Sequence, residues 1–271
     1  MRRISTIAGL FLVLGAAGPS YAGSADANTP AAQVRTPAAQ VKTQDANELD
    51  AILSALERKA AELNTYQARI IYTVRQPVLE SQQRRTGTLA YAKFDGRSFL
   101  RIDFTTLQQD EEKQQAWMEQ FLFDGVWFSH VDHQTKHVER RQLAEPNQPV
   151  DALSLASRHI PVVGFSKVED LRRQFEVQLV TDPQEAAASV RHLHLKVRPD
   201  SVYKDDYATI DFWIDTKVGL PARVEATTTE EEIHEVRLLD PKVNTGIERR
   251  TFQVEIPKNF SLDVTPLEKH E

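Results

Sequence analysis

The sequence predicts an α+β domain built mostly of antiparallel sheet. Three observations point there: hairpins with one apolar face recur, one amphipathic helix precedes them, and a single long stretch interrupts the strand pattern. The plainest hairpin spans Ala208 to Ala226. Ile210, Phe212 and Ile214 share one face, with Asp211, Trp213 and Asp215 on the other. After the turn Asp215-Thr216-Lys217-Val218-Gly219, Leu220, Ala222, Val224 and Ala226 repeat the apolar face against Arg223 and Glu225. Side chains alternate along a strand, so each hairpin has one side for a core and one for water.

The first residues read as an export leader. Arg2 and Arg3 form a positive start, Ile4 to Gly18 is mostly apolar, and Ser20-Tyr21-Ala22 places small residues before a cut after Ala22. The apolar run of roughly fourteen residues falls short of the roughly 20 a membrane span needs. Residues 1–22 are therefore expected to be removed and the remainder delivered to the periplasm. The chain has no cysteine, which excludes disulfides, thiolate metal sites, a cysteine nucleophile and a lipid-modified amino-terminal cysteine. Removing Arg2 and Arg3 from the 33 basic residues leaves 31 against 39 acidic ones, a net −8. Without a dense basic run, such a chain is unsuited to nucleic acid.

Residues 23–45 read as a disordered tether. Thr29-Pro30-Ala31-Ala32-Gln33-Val34-Arg35 is repeated as Thr36-Pro37-Ala38-Ala39-Gln40-Val41-Lys42, too poor in large apolar groups to offset its own ordering entropy. The folded domain is expected over 46–266. Asp45 or Asn47 caps a helix in which Leu49, Ile52, Leu53, Leu56, Ala60 and Leu63 recur at helical spacing. Strand pattern follows over Gln67–Val78. Asp95-Gly96 is a two-residue turn signal between Gly87–Phe94 and Arg97–Phe104, and Asp124-Gly125 another between Trp117–Phe123 and Val126–Val131. Gln108–Gln115 reads as an exposed loop or helical extension. Pro149–Arg173 breaks the pattern around Pro161 and Gly164 and reads as one or two short helices. Strands resume at Phe175–Thr181, His192–Arg198, the hairpin above, Glu232–Leu239 and Thr251–Ile256.

The order of these pieces resembles the LolA-like family of periplasmic lipoprotein and lipid carriers. The resemblance covers about Glu48 to Val264. Gly87-Thr88-Leu89 opens a strand, and Phe123-Asp124-Gly125-Val126-Trp127-Phe128 makes an aromatic turn. Phe212-Trp213-Ile214-Asp215 precedes Leu220-Pro221, and Thr251-Phe252-Gln253-Val254-Glu255-Ile256-Pro257-Lys258 precedes Leu262-Asp263-Val264. The family resemblance implies an antiparallel sheet of about eleven strands, curled into an unclosed barrel covered by helices. It implies an apolar hollow for acyl chains of lipoproteins or for phospholipid, carried from an inner-membrane donor complex to an outer-membrane receptor by a monomer without cofactor or covalent catalysis. Candidate lining residues are Leu89, Tyr91, Phe121, Phe123, Phe212, Ile214 and Val224, and candidate lid residues are Leu153, Leu155, Ile160 and Phe165. Typical members carry an arginine-proline pair that helps to hold the lid shut; the aligned residues here are Lys93 and Phe94. Relatives of the same fold also act as sensors that restrain a stress-response regulator, a second function for this chain.

Metal-assisted hydrolysis is the third. His130, His133 and His137 lie close in sequence, and His192 and His194 share one strand face. Yet His130 to His137 reads as a polar hairpin tip containing Lys136. His192, His194, Lys196 and Arg198 read as a water-facing stripe opposite Leu193, Leu195 and Val197. No H-E-x-x-H element and no serine elbow occurs. No metal site and no catalytic residue is expected.

Overall fold

The structure, a computed structural model, describes residues 38–152, 168–181, 189–253 and 255–267, with side chains from residue 46 onward. It is mainly β. Helix α1 (Ala38–Ala61) leads into β1 (Thr65–Gln76), β2 (Ser81–Phe94), β3 (Arg97–Gln109), β4 (Gln115–Phe123), β5 (Trp127–Asp132) and β6 (His137–Gln142). A short helix α2 (Val168–Gln174) precedes β7 (Phe175–Val180), β8 (Val190–Val197), β9 (Tyr207–Asp215), β10 (Leu220–Thr228), β11 (Ile233–Val243) and β12 (Ser261–Thr265).

Among the described residues 12 strands form one sheet, in the order β12-β6-β5-β4-β3-β2-β1-β11-β10-β9-β8-β7. The sheet is not closed, because β12 and β7 are both edges. Its topology is two meanders that meet where β1 pairs with β11. The first runs outward from β1 to β6; the chain then crosses to the opposite edge at β7 and steps back to β11. Every pairing is antiparallel except β12 with β6.

Local chemistry sets the turns. Asp95 and Gly96 both take positive φ (50° and 75°), the two-residue turn whose twist matches the strands it joins. At the next turn the Asp124 carboxylate accepts from the backbone N–H of Val126 (3.0 Å) and Trp127 (2.7 Å), while Gly125 sits at φ 90°. Pro221, which cannot donate to a ladder, lies at a register shift in β10.

A bulge shapes the first meander. The register shifts between Thr86 and Gly87 on β2 and between Phe104 and Thr106 on β3. One consequence is that Phe104 and Leu107, three residues apart, are both buried. Gly87 permits it: a Cβ there would lie 1.8 Å from the Asp103 carbonyl oxygen, so the β3 backbone occupies the space a side chain needs.

Several expectations change. Helix α1 starts at Ala38 rather than at Asp45 or Asn47, so part of the second heptapeptide copy is helical. Of Gln108–Gln115, residues 110–114 form the exposed loop between β3, which runs to Gln109, and β4, which begins at Gln115, and the helical alternative falls away. Among the described residues of Thr251–Ile256 none is strand: Arg249–Phe252 form a 3-10 turn, and Phe252 packs with Phe94 and Phe99 outside the β2–β3 hairpin. The closing strand is instead β12, which lays Leu262 beside Val138 of β6. The candidate lid residues Leu153, Leu155, Ile160 and Phe165 lie outside the described residues, as do 1–37.

Candidate ligand-binding face

One face of the sheet carries the core. On β1 it is Tyr66, Ala68, Ile70, Tyr72 and Val74; on β2 Leu89 and Tyr91; on β4 Phe121 and Phe123. Across the junction it continues through Val236 and Leu238, Val224 and Ala226, Ile210, Phe212 and Ile214, to Leu193 and Leu195. Helix α1 lowers Leu53 and Leu56 onto this face, each burial worth about 1.5–3 kcal/mol. Its main sheet contacts are with β7 and β10, so it covers the second meander more than the first.

All of the sequence-predicted lining residues lie here. Leu89, Tyr91, Phe121, Phe123, Phe212, Ile214 and Val224 are buried in one continuous cluster. Phe121 stacks between Phe128 and His130, with ring centroids 6.2 Å and 4.5 Å away, and meets Phe104 edge-on. Tyr91 Oη donates to Asp151 Oδ2 (3.3 Å), and the Ala152 N–H donates to Ser98 Oγ (2.6 Å). Burial, reinforced by the Asp151 charge, pushes the Tyr91 phenol well above its ordinary value, so it stays protonated. Lys93 is exposed.

The inner face does hold a buried cation, Arg85. Toward the β1–β2 hairpin tip the inner face turns polar, through residues the sequence reading passed over. Arg85 stands opposite Tyr72 on β1 and Leu107 on β3, and its side chain is only 5% exposed. Glu119 of β4, 4% exposed, lies 3.7 Å from Arg85 Nε, an ion pair beyond hydrogen-bond reach. The same carboxylate receives Trp117 Nε1–H (3.2 Å) and pairs with His130 Nε2 at 2.8 Å. Arg85 Nε is buried without an acceptor, and burial pulls the guanidinium below its ordinary value, with Glu119 opposing. Gln83, next along this face of β2, has a buried Oε1 without a donor. Strict alternation carried the signal: Arg85 has the parity of Leu89 and Tyr91, and Glu119 that of Phe121 and Phe123.

On the β11 side of Tyr72 the polar edge is closed. Burial pushes the Tyr72 phenol up, so its O–H donates to His234 Nδ1 (2.6 Å), and His234 Nε2–H faces Glu232 Oε1 at 2.7 Å. Burial holds His234 below its ordinary value despite Glu232. His130 therefore does not belong to a polar hairpin tip; it lies inside β5 on the inner face, while the turn itself is 133–136.

The outer face of the second meander is laced rather than simply wet. Glu235, with a side chain 4% exposed, receives Arg75 (2.7 Å) and Arg237, and lies 3.0 Å from Arg223 Nε. Arg75 and Arg223 also donate to Glu225, each at 2.8 Å. Arg223 covers the Trp213 ring at 4.0 Å, and His192 stacks on its other neighbour side at 4.3 Å. His192 and His194, expected on a water-facing stripe, both reach Asp211 Oδ1, at 2.7 Å and 2.9 Å. Among the described residues no group of three or more His, Asp or Glu has the geometry to hold a metal ion.

No family model matches the chain, and no curated protein matches it. Solved structures do. An uncharacterized conserved protein from Thermus thermophilus is similar at a TM-score of 0.46 and 10% identity, covering 80% of this chain and 99% of that one. MucB, in its complex with MucA from Pseudomonas aeruginosa, is similar at 0.43 and 14%, covering 78% and 61%. A LolA superfamily protein from Nitrosomonas europaea is similar at 0.34 and 10%, covering 76% and 97%. These are likenesses of outline, and they assign this chain neither ligand nor partner.

Proposed function

We propose that the protein is a non-catalytic binder of acyl chains, taking those of a lipoprotein or phospholipid against the inner face of its sheet. The extent of that face carries the proposal: buried apolar side chains continue from Phe128 of β5 across to Leu193 and Leu195 of β8. Each methylene withdrawn from water there gains about 0.8 kcal/mol. Leu89, Tyr91, Phe121, Phe123, Phe212, Ile214 and Val224 are the contact residues. In the free protein these side chains pack on one another and on α1, so an entering chain exchanges those contacts for its own, and release needs only a better apolar receptor. With the leader 1–22 removed, such a monomer would work in the periplasm between a donor at the inner membrane and a receptor at the outer.

A fluorescent acyl probe should bind in the micromolar range. Gln at Phe123 or Phe212 strips apolar contact and leaves an unpaired amide on the face, weakening binding by roughly 2 kcal/mol, about thirtyfold. Glu111→Gln, on the exposed β3–β4 turn, should bind as wild type does. Thermal midpoints taken on the same samples separate lost binding from lost folding. Equal affinity in all variants, or no binding below aggregation, removes the acyl function and leaves the regulatory sensor in front.

A further inference from the structure

The inner face ends in two adjacent polar groups of β2 that the protein itself leaves unmatched. Arg85 Nε and Gln83 Oε1 are both buried, one without an acceptor and the other without a donor. The Gln83 Nε2–H donates to Gln109 Oε1 (3.3 Å), so it is the Oε1 alone that lacks a partner. Buried polar groups are nearly always hydrogen-bonded, because desolvation without a partner is unfavourable. Two such groups, two residues apart on one face, mark a place that awaits a polar ligand.

We propose that Arg85 is the head-group subsite of this face, binding the carboxylate or phosphate of an anionic amphiphile whose acyl chain lies over Phe104 and Phe121. This rests on the acyl-binding function above and names its ligand class. The nearest competitor for Arg85 is Glu119, but its carboxylate is already engaged by Trp117 Nε1–H and His130 Nε2 and lies 3.7 Å from Arg85 Nε. The guanidinium thus keeps its planar donor edge for a planar or tetrahedral oxyanion. Gln83 Oε1, an acceptor, is placed for a donor on the same head, such as the P–OH of a phosphate monoester. Phe104 pairs with Gly87, which presents no side chain to the face, so nothing bulky stands on β2 between the head site and Leu89. Tail site and head site are continuous along one strand.

Binding to the full chain lacking residues 1–22 would be measured for a long-chain fatty acid, the matching alkyl phosphate, the matching fatty alcohol and inorganic phosphate. The expected result is that both anionic amphiphiles bind at least tenfold tighter than the alcohol. Arg85→Met should erase that difference while leaving the alcohol's affinity unchanged. Glu119→Gln, which removes the competing carboxylate with little change of shape, should widen it, and this variant decides should Arg85→Met fail to fold. Equal binding of alcohol and acid overturns the head-group assignment but leaves acyl binding intact. An acid preference that survives Arg85→Met overturns it too. Inorganic phosphate binding as tightly as alkyl phosphate points to a free-anion site and overturns the amphiphile. Failure of every amphiphile removes acyl binding and this subsite together.

Discussion

Two clusters of buried charge, one on each face of the sheet, use the same residue types to opposite ends. On the outer face Glu235 is enclosed by Arg75, Arg223 and Arg237, with Glu225 bridging two of them. On the inner face Arg85 meets one carboxylate at 3.7 Å and keeps Nε unmatched. Arg223 Nε also lacks hydrogen-bond geometry, yet it sits 3.0 Å from Glu235, so its charge is compensated at contact distance. The outer cluster joins β1, β10 and β11 where the two meanders meet, and every charge in it has an opposite charge at contact distance. The inner one is left incomplete beside a long apolar surface. A saturated network is scaffolding; an unsaturated one beside a greasy face is a place for a ligand.

The largest expected effect comes from breaking the saturated side. Glu235→Ala leaves three guanidiniums together and should destabilise by about 3–5 kcal/mol in urea unfolding. Arg85→Met removes a cation 3.7 Å from its carboxylate and leaves Glu119 held by Trp117 and His130, so it should cost clearly less than Glu235→Ala. If the two variants lose stability equally, the contrast between scaffolding and site is gone. Gly87→Ala comes next. Its Cβ would collide with the Asp103 carbonyl, so the bulge must open at about 3 kcal/mol, with broadened amide signals along β2 and β3 as the accompanying readout.

Acid should separate the two edges more gently. Burial, opposed by Glu232, holds His234 below its ordinary 6.5, so the unfolded chain takes up a proton there before the folded one does. Stability should therefore fall as pH drops below about 6.5, and His234→Gln should remove that step. Burial pushes Glu235 up, but the hydrogen bonds from Arg237 and Arg75 and the Arg223 charge outweigh it and hold the carboxyl below its ordinary 4.5. Its contribution is present above that value and lost as pH falls through the lower folded one. A second step below about pH 4.5 should disappear in Glu235→Gln. A single transition unaffected by either change would show that these edges do not control acid stability.

Much of this molecule follows from its sequence because the causes are local. Alternation over Ile210–Ile214 and Leu220–Ala226 fixes which side chains share a face, and Asp95-Gly96 and Asp124-Gly125 fix turns through two residues each. The candidate contact residues could be named for the same reason. Thr251–Ile256 has strand-like alternation, yet Phe252 finds its partners in Phe94 and Phe99, and the backbone turns to deliver it there. The edge place goes to β12, whose exposed Leu262 and Val264 show how little its own side chains demand burial; its pairing is decided by the free edge of β6.

Apolar alternation and turn residues are enough to specify most of the sheet, its apolar face and the leading helix, because hydrophobic period and turn chemistry act between near neighbours. Which charges are enclosed follows instead from how distant strands assemble. Arg75 and Glu235 lie 160 residues apart and meet because β1 closes against β11. Arg85 and Glu119 face each other over a bulged β3 whose extra residue no alternation rule foresees. Whether a charge is saturated or left open depends on distances across strands, and those are set by the assembled sheet and by no single segment of the chain.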